Sequence, residues 1–412
     1  MTIKTVGIIG SGPSGAALAA LLRMKGVETT LFDDGRRPEL VVGESLIPAV
    51  IPVLRKLGLE ARAAAICQHK PGVSFTLNAN EQIDFCFESL AGTSMPTYAF
   101  NAPRPALDQL LDQRADELGA RRVRTRAAVE RVGAEGVRLT AATLEQAPWL
   151  GGQQPDLLVD ASGRSRSFAH LLEIPAAVGP RKDVAYFAHY DGFARNTPEG
   201  QVIIGRLADG WCWRIPLPGR LSVGVVMNKD AAARLGGTPE ERLEAAIARD
   251  PLLSAAGAGR RRLTGVCTYT NYQLVSARGH GPGWAMAGDA FGFVDPMLSP
   301  GVYLALHSAE LLSENLDQLD AYSRQMRKLI RAWMGLIQYF YDGRIFAMYQ
   351  SGMMVERKFP GRITGALHTF FNGKVACMAS GATTASRFGH GMLEFMSRPA
   401  SWLTDPSTLA IR

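Results

Sequence analysis

Ser299, Pro300 and Gly301 stand where a glycine-rich loop enters an apolar helical run, in the stretch GDAFGFVDPMLSPGVYLAL. A loop of this kind at the start of a helix points backbone N–H groups at a negatively charged group. Proline has no N–H, so Pro300 removes one of these donors. The pattern predicts an anion site beside Ser299 and Gly301 that has lost one amide.

A second group of residues near the amino terminus could hold a phosphate. Gly10, Gly12 and Gly15 form a G-x-G-x-x-G pattern in KTVGIIGSGPSGAALAALLRMKGVETTLFDD, which is typical of a strand, a tight turn, a helix and a second strand. Gly10 permits the turn, Gly12 lets a pyrophosphate approach, and Gly15 lets helix and strand pack closely. Asp33 ends the second strand, where it is expected to bind the unphosphorylated adenosine ribose of FAD or NAD.

Two later segments carry further candidate cofactor residues. The strand in PDLLVDASGRSRS closes on Asp160 and Gly163, and the strand in GWAMAGDAFG ends at Asp289. Three such segments, spread over nearly 300 residues, indicate one extended cofactor that crosses a sheet built from distant parts of the chain. No second G-x-G-x-x-G lies in a strand-turn-helix context, so a separate nicotinamide domain is not expected.

These residues must be positioned by two interleaved layers. Residues 184–228 alternate apolar and polar positions between turn signals, which predicts an antiparallel sheet. The expected fold class is α/β: a Rossmann-like FAD-binding domain interleaved with an antiparallel β-sheet substrate domain, plus a C-terminal helical region. The predicted segments are 1–70, 101–175 and 281–330 for FAD binding, 71–100 and 176–280 for the substrate sheet, and 331–412 for a helical cap over a cleft.

Composition excludes several other classes. The 412 residues are 47% hydrophobic and 20% charged with a net charge of +7, and the basic residues are scattered, so neither disorder nor a nucleic-acid partner is expected. The five cysteines are widely spaced and form no Cys/His cluster, which argues against disulfides and against a metal site. No leader peptide and no apolar stretch of 18 residues is evident, so a soluble cytoplasmic protein without a transmembrane segment is expected.

Together, the glycine turn, Arg104 in RPALDQLL, the D-A-S-G strand end and the G-D-A motif resemble the FAD-dependent monooxygenase superfamily. The resemblance implies that FAD is the dinucleotide. It also implies that Arg104 and Asp289 contact the central part of this cofactor.

Two further stretches narrow the resemblance to the flavin-dependent halogenases. VGESLIP, with Glu44 and Ser45, resembles their G-E-S loop beside the flavin, and WCWRIP fills their W-x-W-x-I-P pattern. Trp211 and Trp213 lie two apart in a predicted strand and therefore on one face, where they serve either sheet packing or function. The resemblance implies a flavoprotein oxidoreductase of secondary metabolite biosynthesis that receives reduced FAD from a separate flavin reductase and uses halide as co-substrate.

Lys70, in CQHKPGVSF, lies in the region where these halogenases carry a lysine. By the resemblance it lies between flavin and substrate and orients hypohalous acid, or carries the halogen as a haloamine. This chemistry requires a donor at some distance from the flavin, so that the oxidant is steered to the substrate. Lys70 is the predicted catalytic residue.

The resemblance also suggests what the anion beside Ser299 is. In these halogenases a P-x-x-S-x-G stretch holds halide on backbone amides, and this chain keeps Pro296, Ser299 and Gly301. The lost amide at Pro300 is expected to weaken halide binding by about 1.5 to 3 kcal/mol. The alternative is a plain helix start, with Ser299 as N-cap and Pro300 as first helical residue, whose positive end stabilises a reduced flavin without halide.

Leu298 bears on the substrate, because tryptophan halogenases have a glutamate immediately before this serine. An apolar residue there favours a phenol or pyrrole over free tryptophan. The net positive charge suits a substrate attached to an acidic acyl or peptidyl carrier protein. Two functions stay open: a halogenase, or a halide-independent FAD monooxygenase or dehydrogenase on the same scaffold.

Overall fold

The computed structural model of the protein describes residues 3–271, 273–359 and 361–412. Within them the strands, in chain order, are β1 (Thr5–Ile9), β2 (Glu28–Phe32), β3 (Gln68–Lys70), β4 (Gly72–Asn78), β5 (Glu81–Cys86), β6 (Ala99–Asn101), β7 (Arg121–Val123), β8 (Val129–Val132), β9 (Gly136–Leu139), β10 (Leu157–Asp160), β11 (Ala176–Val178), β12 (Asp183–Asp191), β13 (Val202–Leu207), β14 (Gly210–Leu217), β15 (Arg220–Asn228), β16 (Arg261–Arg262), β17 (Cys267–Asn271), β18 (Leu274–Ser276), β19 (His280–Gly281), β20 (Trp284–Met286) and β21 (Gly292–Phe293).

The helices of the described residues fall among these strands and dominate the C-terminal part. They are α1 (Pro13–Met24), α2 (Val50–Lys56), α3 (Glu60–Ile66), α4 (Arg104–Glu117), α5 (Ala141–Glu145), α6 (Ser167–Leu171), α7 (Lys229–Ala233), α8 (Pro239–Arg249), α9 (Pro251–Ala256), α10 (Gly301–Glu314), α11 (Leu319–Tyr341), α12 (Arg344–Lys358), α13 (Arg362–Ala379) and α14 (Arg387–Leu403). In the described part of the chain, no helix is both long and apolar enough to cross a membrane.

The first sheet, here called the parallel sheet, has the strand order β19-β20-β10-β1-β2-β7. Its strands run parallel except β19, and Ile9 at the end of β1 pairs with Phe32 on one side and Asp160 on the other. This register brings the carboxyl ends of β1, β2 and β10 to one edge, where ligands of open parallel sheets bind. Three segments distant in sequence therefore meet at this edge.

The second sheet, here called the antiparallel sheet, has the order β16-β12-β15-β14-β13-β4-β5, with β17 also paired to β12. All of its pairs are antiparallel except β13 with β4. Alternate residues face opposite sides. Phe187 belongs to the main core shared with the parallel sheet, whereas its neighbour Tyr186 packs in a second core that includes residues of α8.

The helices complete the main core. Helix α1 is almost entirely buried and packs against α4 and α10. Helix α11 is amphipathic along its 23 residues, and its last residue, Tyr341, is buried. The predicted fold class, an α/β FAD-binding arrangement interleaved with an antiparallel sheet and followed by helices, is confirmed.

Candidate active site

A cavity lies between the parallel and antiparallel sheets. Its wall includes the turns after β1 and β10, the inner face of β12 and β14, and the start of α10. Eight of the site residues predicted from the sequence line it: Gly12, Glu44, Ser45, Arg104, Gly163, Asp289, Ser299 and Gly301. Five others do not line it: Gly10, Gly15, Asp33, Lys70 and Asp160.

The glycine turn after β1 has the shape that a diphosphate requires. Gly10 has φ of +99°, and a Cβ there would lie 2.5 Å from the carbonyl oxygen of Ala161. A Cβ on Gly15 would lie 2.0 Å from the carbonyl oxygen of Gly10, whereas a Cβ on Gly12 would meet nothing within 4 Å. Beside this open backbone, the hydroxyl of Ser14 is buried and has no hydrogen-bond partner. An open glycine and an orphaned hydroxyl at a helix start fit the diphosphate of FAD.

Asp33 follows β2 at the same edge and is already engaged by a neighbouring arginine. Arg37 donates to both oxygens of Asp33, each at 2.9 Å, and also to the backbone oxygen of Ser11 at 3.2 Å. Hydrogen bonding to Asp33 and the charge of that carboxylate outweigh the effect of burial and raise the pKa of Arg37. Sequence reasoning missed Arg37, although its position four residues after Asp33 in DDGRR is a usable signal.

Arg104 and Asp289 both line the cavity, and each carries an ionisable side chain. Arg104 donates to both oxygens of Asp108, at 3.0 and 3.1 Å, and to the backbone oxygen of Val42 in the loop before Glu44. Burial raises the pKa of Asp289 to about 6, while the positive charges of Arg104 and Arg164 act in the opposite direction. Asp289 therefore takes up a proton at a higher pH than an ordinary aspartate, and its protonated form can donate a hydrogen bond.

Asp160 and Gly163 have different positions although they share one motif. Both carboxylate oxygens of Asp160 accept backbone N–H groups, from Ser162 at 2.9 Å and from Phe168 at 2.8 Å. Burial raises the pKa of this carboxyl group. Asp160 thus stabilises the turn after β10. Gly163, with φ of +62°, lies on the cavity wall, and a Cβ there would meet nothing within 4 Å.

Lys70 lies one layer behind the cavity. Its side-chain nitrogen is 2.8 Å from the hydroxyl oxygen of Ser45 and donates to the backbone oxygen of Leu46 at 2.7 Å. The side chain is fully buried, and burial lowers its pKa to about 7. Lys70 itself does not line the cavity, whereas Ser45, which it contacts, does.

The loop before α10 is strained. Leu298 and Ser299 have φ of +67° and +60°, a region that residues other than glycine enter at a cost of about 1 to 3 kcal/mol each. Helix α10 begins at Gly301 with Pro300 as N-cap and no side-chain cap, so the alternative in which Ser299 caps the helix and Pro300 is its first residue is wrong. The positive φ of Ser299 takes it out of the extended conformation that an N-cap needs. A Cβ on Gly301 would meet nothing within 4 Å, so this backbone is open.

The two tryptophans of the W-x-W pattern both line the cavity, and Trp211 also belongs to a series of hydrogen bonds. The indole N–H of Trp211 donates to the Tyr341 hydroxyl at 2.9 Å, and that hydroxyl donates to Asp295 at 2.9 Å. Asp295 also accepts the backbone N–H of Met297 at 2.8 Å, within the loop that leads to Ser299. Trp211 is thus linked to the anion loop. Tyr341 and Asp295 were not singled out from the sequence, since they meet only in the fold.

Glu44 has a partner that sequence reasoning also missed. One of its carboxylate oxygens is 2.7 Å from Nε2 of His189 on β12, and Arg220 at the start of β15 donates to Nδ1 of the same ring at 3.1 Å. Glu44 and His189 are both buried. A single histidine within an apolar strand gives no sequence signal for such a contact, because its partners are 145 and 31 residues away.

Comparison with protein families and with curated proteins shows similarity to FAD-binding proteins and to halogenases. The family described as FAD binding domain matches residues 4–318. A tryptophan 2-halogenase from Chondromyces crocatus is 29% identical over 356 residues, 81% of this chain and 67% of the relative. A sulochrin halogenase from Aspergillus terreus is 30% identical over 335 residues, 73% of this chain and 61% of the relative. The chain thus spans about two thirds of the length of these relatives.

Solved structures share the fold. A flavoprotein/dehydrogenase from Cytophaga hutchinsonii superposes with a TM-score of 0.80 at 20% identity, covering 98% of this chain and 100% of that chain. The flavin-dependent brominase Bmp2 gives 0.74 at 22% identity, covering 96% and 99%. The halogenase PltM in complex with phloroglucinol and FAD gives 0.72 at 16% identity, covering 99% and 94%. The chain therefore belongs to the FAD binding domain family and, within it, to the flavin-dependent halogenase family.

Proposed function

We propose that this protein is an FAD-dependent oxidoreductase that halogenates an electron-rich aromatic compound with halide, oxygen and reduced FAD. A separate flavin reductase supplies the reduced cofactor, as the family resemblance implies. When bound, reduced FAD supplies, together with oxygen, the two-electron oxidation that converts halide into hypohalous acid. The chain itself binds, orients and carries the reactants.

The residues proposed to hold the cofactor follow the cavity wall. Gly12 and the free hydroxyl of Ser14 fit the diphosphate, with Gly10 and Gly15 shaping the turn. Arg104 and Asp289 line the cavity and are proposed to contact the central part of FAD, and a Cβ on Gly163 would meet nothing within 4 Å. Asp33, together with Arg37, is proposed to bind the adenosine end of FAD. Asp160 is proposed to hold the turn after β10. Glu44 and Ser45 are proposed to form the loop beside the flavin.

Halide is proposed to bind at the open start of α10. The backbone N–H of Gly301 and the hydroxyl of Ser299 are the available donors, and the positive end of the helix favours an anion. Pro300 contributes no N–H, so this site has fewer donors than one with an ordinary residue at that position.

The observation that carries the proposal is the buried amine of Lys70. With a pKa of about 7, roughly half of the amine is unprotonated at neutral pH and can accept halogen. Nitrogen attacks the halogen of hypohalous acid, the oxygen–halogen bond breaks, and the proton from nitrogen leaves with the oxygen as water. The amine contacts Ser45, which lines the cavity, and is therefore close to the place where the oxidant would form.

The aromatic substrate is proposed to be a phenol or pyrrole, either free or attached to an acyl or peptidyl carrier protein. Leu298 supports this choice, because it places an apolar, buried side chain where tryptophan halogenases have glutamate. The net charge of +7 suits an acidic carrier. A cytoplasmic location is part of the proposal, and the five cysteines, all unpaired, suit a reducing compartment.

A second candidate function is a halide-independent FAD monooxygenase or dehydrogenase. Pro300 favours it, since the helix start then serves only to stabilise negative charge on reduced flavin. The two candidates separate in one assay. Purified protein with reduced FAD, oxygen and phloroglucinol is incubated with and without bromide, and product masses are measured. Brominated product that requires bromide supports the halogenase; hydroxylated product independent of bromide supports the second candidate.

A further inference from the structure

Arg220, His189 and Glu44 form a hydrogen-bonded chain that ends at the cavity wall. The Nε of Arg220 donates to Nδ1 of His189 at 3.1 Å, and Nε2 of His189 lies 2.7 Å from a carboxylate oxygen of Glu44. Arg220 is half-buried, and the other two side chains are buried. These hydrogen bonds therefore connect Arg220, at the start of β15 in the antiparallel sheet, with Glu44 in the loop beside the cavity.

The order of donors sets the protonation pattern. Arginine can only donate, so Nδ1 of His189 must accept and carries no proton. The one ring proton then lies on Nε2 and points at Glu44, which accepts it as a carboxylate. The contact with Arg220 thus favours the tautomer that carries its proton on Nε2, facing Glu44.

This arrangement prevents His189 from passing a proton outward. A relay would need Nδ1 to take or release a proton, and Arg220 blocks that nitrogen. A proton that Glu44 accepts from the cavity therefore does not leave through His189. His189 and Arg220 are positioning residues, which hold one carboxylate oxygen and leave the rest of the group for a reactant.

Other titratable groups lie close to Glu44. Burial first, and the charge of Glu44 second, raise the pKa of the Cys267 thiol on β17. Ser45, the next residue, contacts the amine of Lys70. His189 and Cys267 thus lie next to Glu44, Lys70 is joined to the same loop through Ser45, and Arg104 donates to the backbone oxygen of Val42 in that loop.

We propose that Glu44 is the proton acceptor for a phenolic substrate. The proposal rests on the halogenase function above, in which water takes the halogen back from the Lys70 nitrogen: the nitrogen–halogen bond breaks, the amine regains its proton from water, and hypohalous acid forms again. Glu44 takes the O–H proton of the phenol; a ring carbon of the resulting phenolate bonds to halogen while the oxygen–halogen bond breaks with its electron pair on oxygen. The hydroxide so formed takes the ring C–H proton, giving water, and Glu44 returns its proton to the phenolate oxygen.

Leu298 has no carboxylate, so a base that accepts the phenol proton must come from another residue. A positioned base raises a reaction rate by about 100-fold to 10,000-fold. Among the carboxylates that line the cavity, Glu44 is held by a contact of 2.7 Å with His189 and is followed by Ser45, which contacts the amine of Lys70. Glu44 is thus the cavity carboxylate that adjoins the proposed halogen carrier.

The test compares two aromatic probes in parent and Glu44→Gln proteins, both with reduced FAD, oxygen and bromide. Phloroglucinol has O–H protons, and 1,3,5-trimethoxybenzene has none. The ratio of phloroglucinol bromination to trimethoxybenzene bromination is expected to fall by about 100-fold in Glu44→Gln and to recover as the pH approaches the pKa of phloroglucinol itself. An unchanged ratio, or a fall that does not recover with pH, overturns the proposal for Glu44.

Two variants of His189 provide a check that does not depend on the folding of Glu44→Gln. Glutamine can still donate to Glu44 and accept from Arg220, whereas leucine can do neither. His189→Leu is expected to lower phloroglucinol bromination by about tenfold at pH 7, and His189→Gln to restore most of it. Equal loss in both variants overturns the positioning role. If the parent brominates neither probe, the proposed halogenase function has failed instead.

Discussion

The side-chain nitrogen of Lys70 lies 2.8 Å from the hydroxyl oxygen of Ser45, and only the serine of this pair lines the cavity. The lysine is fully enclosed, with the ring of Phe87 5.3 Å from its nitrogen. This enclosure depresses the pKa of the amine and separates it from bulk water. An amine in such a place can react with an oxidant that enters the cavity while remaining protected from solvent.

Lys70→Met is expected to remove nearly all halogenated product while oxygen consumption by reduced FAD continues at close to the parent rate. Methionine keeps most of the volume of the side chain but has no amine. Product yield and oxygen uptake are measured in the same reaction. Lys56→Met, at an exposed lysine that pairs with Glu310 and Glu314, is the control and should keep full yield. Parent-level product in Lys70→Met contradicts the role of the amine.

The yield of halogenated product per oxygen consumed is expected to rise with pH through about 7 and then level off. Burial lowers the pKa of Lys70 from 10.5 to about 7, so the unprotonated, reactive amine gains population across that range. Below pH 6 the yield should fall roughly tenfold per pH unit. A flat profile between pH 5.5 and 8, with bound FAD verified throughout, would count against the amine as carrier.

The same pKa predicts a stability difference between parent and Lys70→Met. Between pH 7 and 10.5 the unfolded chain binds a proton at Lys70 that the folded chain does not, so folding becomes more favourable as pH rises through this window. Lys70→Met has no such group. Denaturant titrations should show the free energy of unfolding of the parent rising relative to the variant from pH 7 to 10. A constant difference would mean that the pKa of Lys70 is not lowered.

Gly12→Ala and Gly15→Ala are expected to fail in different ways. A methyl group at Gly12 meets no protein atom within 4 Å but projects into the place of the diphosphate, so FAD affinity should drop by about tenfold with little change in melting temperature. A methyl group at Gly15 would lie 2.0 Å from the carbonyl oxygen of Gly10, so that variant should be destabilised. FAD titration and thermal unfolding distinguish the two. Unchanged FAD affinity in Gly12→Ala would contradict the assigned cradle.

Pro300→Ser is expected to lower the bromide concentration for half-maximal activity by about tenfold, because it restores one N–H donor beside Gly301. Bromide should be used better than chloride, since it is more easily oxidised and less costly to strip of water. Proline also restricts the unfolded chain, so thermal stability is measured alongside. If the bromide requirement of Pro300→Ser matches that of the parent, the missing amide does not limit halide binding.

Local motifs made the cofactor edge predictable from the sequence. Gly10, Gly12 and Gly15 lie within six residues of one another, and the contact of Gly15 with the carbonyl oxygen of Gly10 is set by that spacing, whereas the contact of Gly10 with Ala161 is not. The fold class followed from apolar runs that end in such motifs. The strand order of the sheets was not predicted, because it depends on partners distant in sequence.

The polar links across the cavity were not predictable in this way. Trp211 meets Tyr341 across 130 residues, and Glu44 meets His189 across 145, so no local pattern joins them. The capping prediction at Ser299 failed for another reason: serine before proline and glycine resembles a helix start, but positive φ at both Leu298 and Ser299 shifts the start to Gly301. Backbone strain of this kind is set by tertiary packing.

Mass spectrometry of the product formed from phloroglucinol by the parent protein, with reduced FAD, oxygen and bromide, tests the central claim most directly. The account predicts a product with the paired isotope peaks of bromine, which is absent without bromide and absent with Lys70→Met. A hydroxylated product formed equally with and without bromide would contradict it.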